Sequence, residues 1–288
     1  MALEKLTNIV LVFAAATLCA PCTFAEDTGT EWEALIREAK DLRQAGKNAR
    51  AAQVARKALE TAEKKHGMQH LDVAKSLDVL GKAYEDQEKY AEAEEIYKRA
   101  LGTREKVLGS HHYEVVENLD QISRFYYWRG QPEKREPFEN RALAIRTSLL
   151  GPKHREIAER LVSLGTLHHD LGRFDKAEVS FRQALEIHEK IHDEAAMGSD
   201  LGNLGLIYLY QKKHLETEVA YRRSIAVREK AFKTAAIELL APIQNLLSLY
   251  RSMNRKSELG ELEAREAEVL KILHPRPSNT RMRRDASK

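Results

Sequence analysis

The sequence predicts an all-α solenoid of stacked antiparallel helix pairs, and three observations predict it. Three strings recur at a step of 42 residues: Gly67-x-x-His70-x-x-Val73, Gly109-x-x-His112-x-x-Val115 and Gly151-x-x-His154-x-x-Ile157. A second set keeps the same phase: Leu80-Gly81-x-x-Tyr84, Ile122-Ser123-x-x-Tyr126 and Leu164-Gly165-x-x-His168. It continues after a step of 40 with Leu204-Gly205-x-x-Tyr208, and after 42 more with Leu246-Leu247-x-x-Tyr250. A third set is small-then-apolar: Ala58-Leu59, Ala100-Leu101, Ala142-Leu143, Ala184-Leu185 and Ser224-Ile225. A period of this length makes each unit one supersecondary piece whose apolar face only its neighbours can cover.

Residues 1–25 precede the repeat. Ile9 to Ala20 is an apolar run of 12 residues, too short to span a bilayer comfortably. It follows Lys5, and Thr23 and Ala25 stand at the −3 and −1 positions of a cut before Glu26. This reads as a secretory signal peptide; the alternative is an uncleaved anchor, against which Pro21 and the short run argue. Export across the inner membrane follows, to the periplasm or the exterior. Cys19-Ala20-Pro21-Cys22 has the spacing of a redox pair, but that chemistry needs a helix start beside a strand, and no strand pattern exists. Cleavage after Ala25 removes both cysteines of the chain and leaves packing alone to hold it.

After a short leader at 26–30 come six units: 31–72, 73–114, 115–156, 157–196, 197–238 and 239–273. Within each, apolar residues at i, i+3, i+4 and i+7 give helices with one buried stripe. Turns are marked by Gly46-Lys47-Asn48, Glu88-Lys89-Tyr90, Gly130-Gln131-Pro132 and Gly172-Arg173-Phe174. Gly or Ala lets paired helices approach closely, and Tyr and Phe fill the wedge left open. The third unit departs, with Pro132, Arg135 and Pro137 in place of the turn aromatic and small residues. The sixth carries Glu266-Ala267 where the small-apolar pair is due, as a solvated end does. Pro275 and Pro277 stop the last helix. The tail at 274–288 holds Arg276, Arg281, Arg283, Arg284 and Lys288 against Asp285 alone, a net of +4, so with +3 for the whole chain the helical body is close to neutral, near −1. Polar and aperiodic, the tail reads as disordered. It suits peripheral contact with anionic membrane or cell-wall polymer, or simple solubility. Without aromatics, it gives no reason to expect nucleic acid.

The stretch Leu80-Gly81-x-x-Tyr84, Tyr90-x-x-Ala93-Glu94-x-x-Tyr97-x-x-Ala100-Leu101, Glu105-Lys106-x-Leu108-Gly109, with His112 beyond, resembles the tetratricopeptide repeat (TPR) in the long form found in kinesin light chains. The resemblance covers about residues 31 to 273. It implies a right-handed superhelix whose first helices line a concave face, and a non-enzymatic scaffold that binds a peptide or a partner domain there. Relative to Gly81, the family's inward positions are −6, −3, −2, +1, +4 and +5. Laid on this chain, they put Lys40, Lys82 and Arg124 in one phase as a basic stripe. They also repeat an amide at Asn203 and Asn245, where kinesin-light-chain-like repeats grip an extended backbone, and turn Tyr127, Trp128 and Tyr210 inward. Asn suits that task because one side chain both donates and accepts. Half-exposed aromatics are the residues that anchor binding hot spots. Against this, one charge per unit also suits a solvated face, with Asp78, Glu85, Asp86 and Asp170 near enough to neutralise it. Aromatics at helical spacing also suit a core.

No metal, cofactor or catalytic site is expected. Of eleven histidines, His70, His112 and His154 fall one per unit, roughly 10 Å apart by helix-packing distances, too far to share one zinc. Their expected task is to bond backbone at the start of the next helix. His66 and His70 are four apart, but Gly67 breaks the helix that would align them. His168-His169-Asp170 is the best remaining cluster, yet His168 takes a core slot. No His-Glu-x-x-His string, phosphate-cradling loop or nucleophile elbow appears.

Overall fold

The computed structural model describes residues 31–231 and 237–274. The expected signal peptide and leader at 1–30 and the tail beyond His274 lie outside the described residues. Among the described residues there are twelve helices and no strand: α1 (Glu31–Gln44), α2 (Asn48–His66), α3 (Leu71–Glu85), α4 (Tyr90–Leu108), α5 (Tyr113–Trp128), α6 (Pro132–Leu150), α7 (Arg155–Asp170), α8 (Phe174–Lys190), α9 (Glu194–Tyr210), α10 (His214–Ala231), α11 (Ile237–Ser252) and α12 (Lys256–Leu273). We refer to odd-numbered helices as A and even-numbered ones as B. Each packs on its chain neighbours, so the architecture is the all-α solenoid of helix pairs that the period predicts. Helix α3 starts at Leu71, two residues before the unit boundary drawn from the phase.

Two kinds of connection build the stack. The turn from A to B carries one left-handed residue in every unit: Gly46, Glu88, Gly130, Gly172, Lys212 and Asn254, with φ between 57° and 71°. The amide after each bonds back five residues, as in Lys89 N–H to Tyr84 O at 2.9 Å and Arg173 N–H to His168 O at 2.8 Å. This is the Schellman closure, and it turns the chain back on itself without leaving the last carbonyls bare. The link from B to the next A differs. Gly67, Gly109 and Gly151 hold φ of 79°, 84° and 85° with ψ of 172°, 156° and 153°, a region open essentially to glycine alone. His70, His112 and His154 then cap α3, α5 and α7, their Nδ1 atoms accepting from Asp72, Glu114 and Glu156 N–H at 3.2, 3.2 and 3.3 Å. The expected capping task is what they perform. The step of 40 arises at the fourth link: α8 has 17 residues where α4 and α6 have 19, and Asp193 replaces the histidine cap, accepting from Ala196 N–H at 3.1 Å.

The core is divided. Five apolar clusters succeed one another, four made by two adjacent units and one, between α7 and α8, by buried residues of the fourth unit alone with Leu143 of the third against it. The first runs from Ala39 to Ala100, the next from Ala93 to Ile145, then Ile157 to Ile187, Ala177 to Ala220, and Tyr221 to Val269. Within units two, four and five the glycine wedge is filled as predicted. A Cβ on Gly81, Gly165 or Gly205 would stand 2.5, 2.7 and 2.5 Å from the rings of Tyr97, Phe181 and Tyr221. In the third unit the same two slots hold Ser123 and Glu139, which bond each other.

Two charged ladders tie units together. Glu94, Glu136, Glu178 and Glu218 occupy one B-helix position and reach cations of the following unit: Lys134, Arg173 with Lys176, Lys213, and Arg255. A bond from Lys98 holds the Glu94 carboxyl below its ordinary value. Burial opposes ionisation at Glu136, Glu178 and Glu218, yet bonds to Arg173, Lys213 and Tyr250 outweigh it and hold those carboxyls low as well. On the second ladder, buried Arg104 joins Asp78 to Glu114, and buried Arg146 joins Asp120 to Glu156. His188 meets Asp200 at 2.6 Å, and Arg228 meets Glu238, at the next two junctions.

Candidate functional site

Helices α1 and α3 enclose a cavity of about 450 Å³ whose lining includes Trp32, Ile36, Lys40, Lys75, Asp78 and Lys82. Lys40 and Lys82, two members of the expected stripe, therefore meet in one groove with an indole and an isoleucine beneath them. The Trp32 indole is fixed by its N–H, which donates to Ser76 Oγ at 2.7 Å. Lys75 stands at the −6 position of the inward frame and Asp78 and Ile36 at −3, and Arg43 adds a fourth cation to the lining; the phase singled out neither Lys75 and Arg43 nor the apolar pair Trp32 and Ile36.

The acids that could have silenced the stripe are occupied elsewhere. Arg104 takes Asp78 with both amino groups, and burial nonetheless lifts that carboxyl above its ordinary value. Glu85 accepts from the Tyr97 hydroxyl at 2.7 Å, Asp86 pairs with Arg43, and Asp170 lies 3.2 Å from His169 Nδ1. Among the described residues, Lys40, Lys82 and Arg124 make no ion pair, although thirty pairs form elsewhere along the solenoid, from Lys57 with Glu31 to Arg265 with Glu229. No ion pair ties them down, although Lys82 acts at longer range on Asp78, against the lift that burial gives that carboxyl, so its charge is partly offset.

The other expected residues are all open to solvent to some degree. Asn203 is half-buried in α9 and Asn245 exposed in α11, and neither amide has a hydrogen-bond partner among the described residues. Tyr127, Trp128 and Tyr210 are 56, 73 and 52% exposed, so they are not core. Trp128 and Tyr210 end α5 and α9, beside the turns, which places them at the edge of the A-helix face rather than at its middle. They are not equally free. Tyr210 lies flat on Phe174, ring centres 4.8 Å apart, with His169 on its other contact; Trp128 meets only the edge of Tyr127.

Of the histidine clusters, the one at 168–170 keeps its expected core member and the pair at 66 and 70 departs from expectation. His168 is buried and turned to Glu136 at 3.3 Å, and burial lowers its pKa. His169 and Asp170 face each other apart from it, so the three do not converge. Gly67 does end α2, yet the break brings His66 and His70 together rather than apart: their rings stack at 4.1 Å, tilted by 12°. A helix was not needed to align them, because the extended Gly67 folds the chain back across its own end.

A family model of the tetratricopeptide repeat matches residues 33–106 and 114–190, more than half of the chain. The chain belongs to the tetratricopeptide-repeat family. Solved structures agree at the level of fold. A putative kinesin light chain of Podosopora anserina, with nearly identical TPR-like repeats, is 18% identical, with a TM-score of 0.55 over 69% of this chain and 95% of that one. BtubC (BKLC) of P. vanneervenii is 20% identical, TM-score 0.54, over 90% of this chain and 98% of that one. The apo form of RapI is 14% identical, TM-score 0.57, over 83 and 76%. No curated relative matches the sequence. A TPR solenoid is a protein–protein interaction scaffold by type, and this chain has that architecture from α1 to α12.

Proposed function

We propose that this TPR protein is an exported, non-enzymatic scaffold, working in the periplasm or outside the cell, whose A-helix face holds an extended acidic peptide of a partner protein. One observation carries the reading: Lys40, Lys82 and Arg124 stand in one repeat phase and form no ion pair among the described residues, while the acids nearest them are bonded to other residues. The apolar floor of Trp32 and Ile36 suits a side chain between two acidic ones. The unbonded amides of Asn203 and Asn245 suit the backbone of the same peptide further along, where they can donate to a carbonyl and accept from an amide.

The test uses an array of extended acidic peptides, with the best binder carried into titration calorimetry. Asn203→Ala with Asn245→Ala is expected to weaken binding about tenfold or more, roughly 1.4 kcal/mol, with circular dichroism unchanged. Lys40→Ala, Lys82→Ala and Arg124→Ala together are expected to weaken it and to flatten its salt dependence. Affinity unaltered by both variants moves the binding surface to the B helices, the turns or the tail.

A further inference from the structure

The first junction of the solenoid lacks a part that the later ones have. Between units two and three, and again between three and four, a buried arginine bridges the A helices; the equivalent position at the first junction is Ala62, itself buried. The acid that the arginine would meet is nevertheless present. Asp72 occupies the place of Glu114 and Glu156, and in the absence of a guanidinium it faces two imidazoles: His66 Nε2 lies 3.6 Å and His70 Nδ1 3.4 Å from Asp72 Oδ2. The two rings are stacked, and the three ligand atoms lie within 4.8 Å of one another, the one such group among the described residues.

We propose that His66, His70 and Asp72 are the protein ligands of a zinc-type divalent cation, which clips the end of α2 to the start of α3. Two imidazole nitrogens and a carboxylate oxygen are the donor set that borderline metals prefer, and three protein ligands leave the fourth position to water. A tetrahedral zinc with bonds of 2.0–2.1 Å has ligand–ligand edges of about 3.3 Å. The two histidine–aspartate separations are already near that length; the imidazoles, stacked nearly parallel, have to turn out of the stack so that both in-plane lone pairs aim at one ion. His70 Nδ1 has a single lone pair, now given to the Asp72 amide, so the ion takes it in exchange for the cap bond. The ion then does for the first junction what Arg104 and Arg146 do for the next two: it places positive charge between helix ends that bring an acid. The equivalent residues one unit on are Leu108, His112 and Glu114, which lack the first imidazole, and Glu114 is met by Arg104.

The test is titration of the tag-free full chain with zinc chloride at pH 7.5, followed by calorimetry and by melting with and without the metal. One equivalent is expected to bind with micromolar or tighter affinity and to raise the melting temperature, since a ligand of the native state stabilises it by mass action. His66 caps no helix, so His66→Ala is expected to melt like the wild type without zinc and to bind zinc at least tenfold more weakly. Asp72→Asn, which keeps the capping amide, is expected to weaken binding as well. His111→Ala is the control and is expected to bind as the wild type does. The proposal is overturned if the wild type takes up no zinc, or if both His66→Ala and Asp72→Asn keep the wild-type isotherm.

Discussion

The third and fourth units meet the same packing problem with different chemistry. In the fourth, Gly165 on α7 accepts the face of Phe181 from α8, and the ring is so close that no Cβ fits. In the third, Ser123 and Glu139 take those slots, and Arg135 joins them, with Nε 3.2 Å from Ser123 Oγ and Nη2 2.9 Å from Glu139. Arg135 stands where units two and four carry Ala93 and Ala177. It also reaches Ser163 of the fourth unit at 3.1 Å, beside the smallest apolar cluster, whose five buried residues all lie in the fourth unit and to which the third adds only the partly buried Leu143. The backbone path is common to both units. What differs is whether dispersion or a closed set of hydrogen bonds holds the pair, and the second is far less tolerant of a missing member.

That difference gives the largest expected effect. Glu139→Ala leaves the Arg135 guanidinium, 13% exposed, without its carboxylate, and should cost about 3 kcal/mol in denaturant unfolding. The combined change Ser123→Gly, Arg135→Ala and Glu139→Phe rebuilds the fourth unit's wedge in the third. It should recover wild-type stability or exceed it, because a well-packed apolar replacement of a buried ion pair is often neutral or better. A triple variant as unstable as the single one would show that Arg135 is needed for Ser163 and not only for its own wedge.

Next in size is the reverse intrusion. Gly165→Leu drives a side chain into the Phe181 ring and should cost about 1–3 kcal/mol by overpacking. The same cost is expected at Gly81 and Gly205, where Tyr97 and Tyr221 lie as close. A thermal melt unmoved by Gly165→Leu would mean that α7 and α8 pair in another register.

The contrast between these units was only half legible in the sequence. Gly81, Gly165 and Gly205 announce the wedge because a glycine in an amphipathic helix has few other uses, and the aromatic sixteen residues later completes the pair. Pro132, Arg135 and Pro137 marked the third unit as irregular, but nothing in the spacing shows that Glu139 turns inward: a glutamate on a helix normally faces water, and only Arg135 and Ser123 together make its burial tolerable. The groove divides in the same way. The family's inward frame, laid on the repeat phase, placed Lys40, Lys82 and Arg124, whereas their freedom from ion pairs depends on where Arg104 and Arg43 point. His66 and His70 were misjudged because a break in a helix was taken for a separation in space.

The smallest effect concerns what the two units share. His112 and His154 cap α5 and α7 with the same geometry, each Nδ1 accepting from the amide two residues on. Both side chains are exposed, so their replacement disturbs the cap bond and little else. His112→Ala and His154→Ala should each cost about 1 kcal/mol or less, the usual range for losing an N-cap acceptor. The two costs should also agree, although one cap precedes the polar wedge and the other the aromatic one. His112→Asp and His154→Asp should restore the loss, since a carboxylate accepts the same amide and faces the positive end of the helix, as Asp193 already does for α9. Denaturant midpoints for the four variants decide it. Equal costs would confine the contrast between the units to the wedge itself. A clearly larger cost for His112→Ala would mean that the start of α5 is coupled to the Ser123–Glu139–Arg135 network through the helix that carries them both.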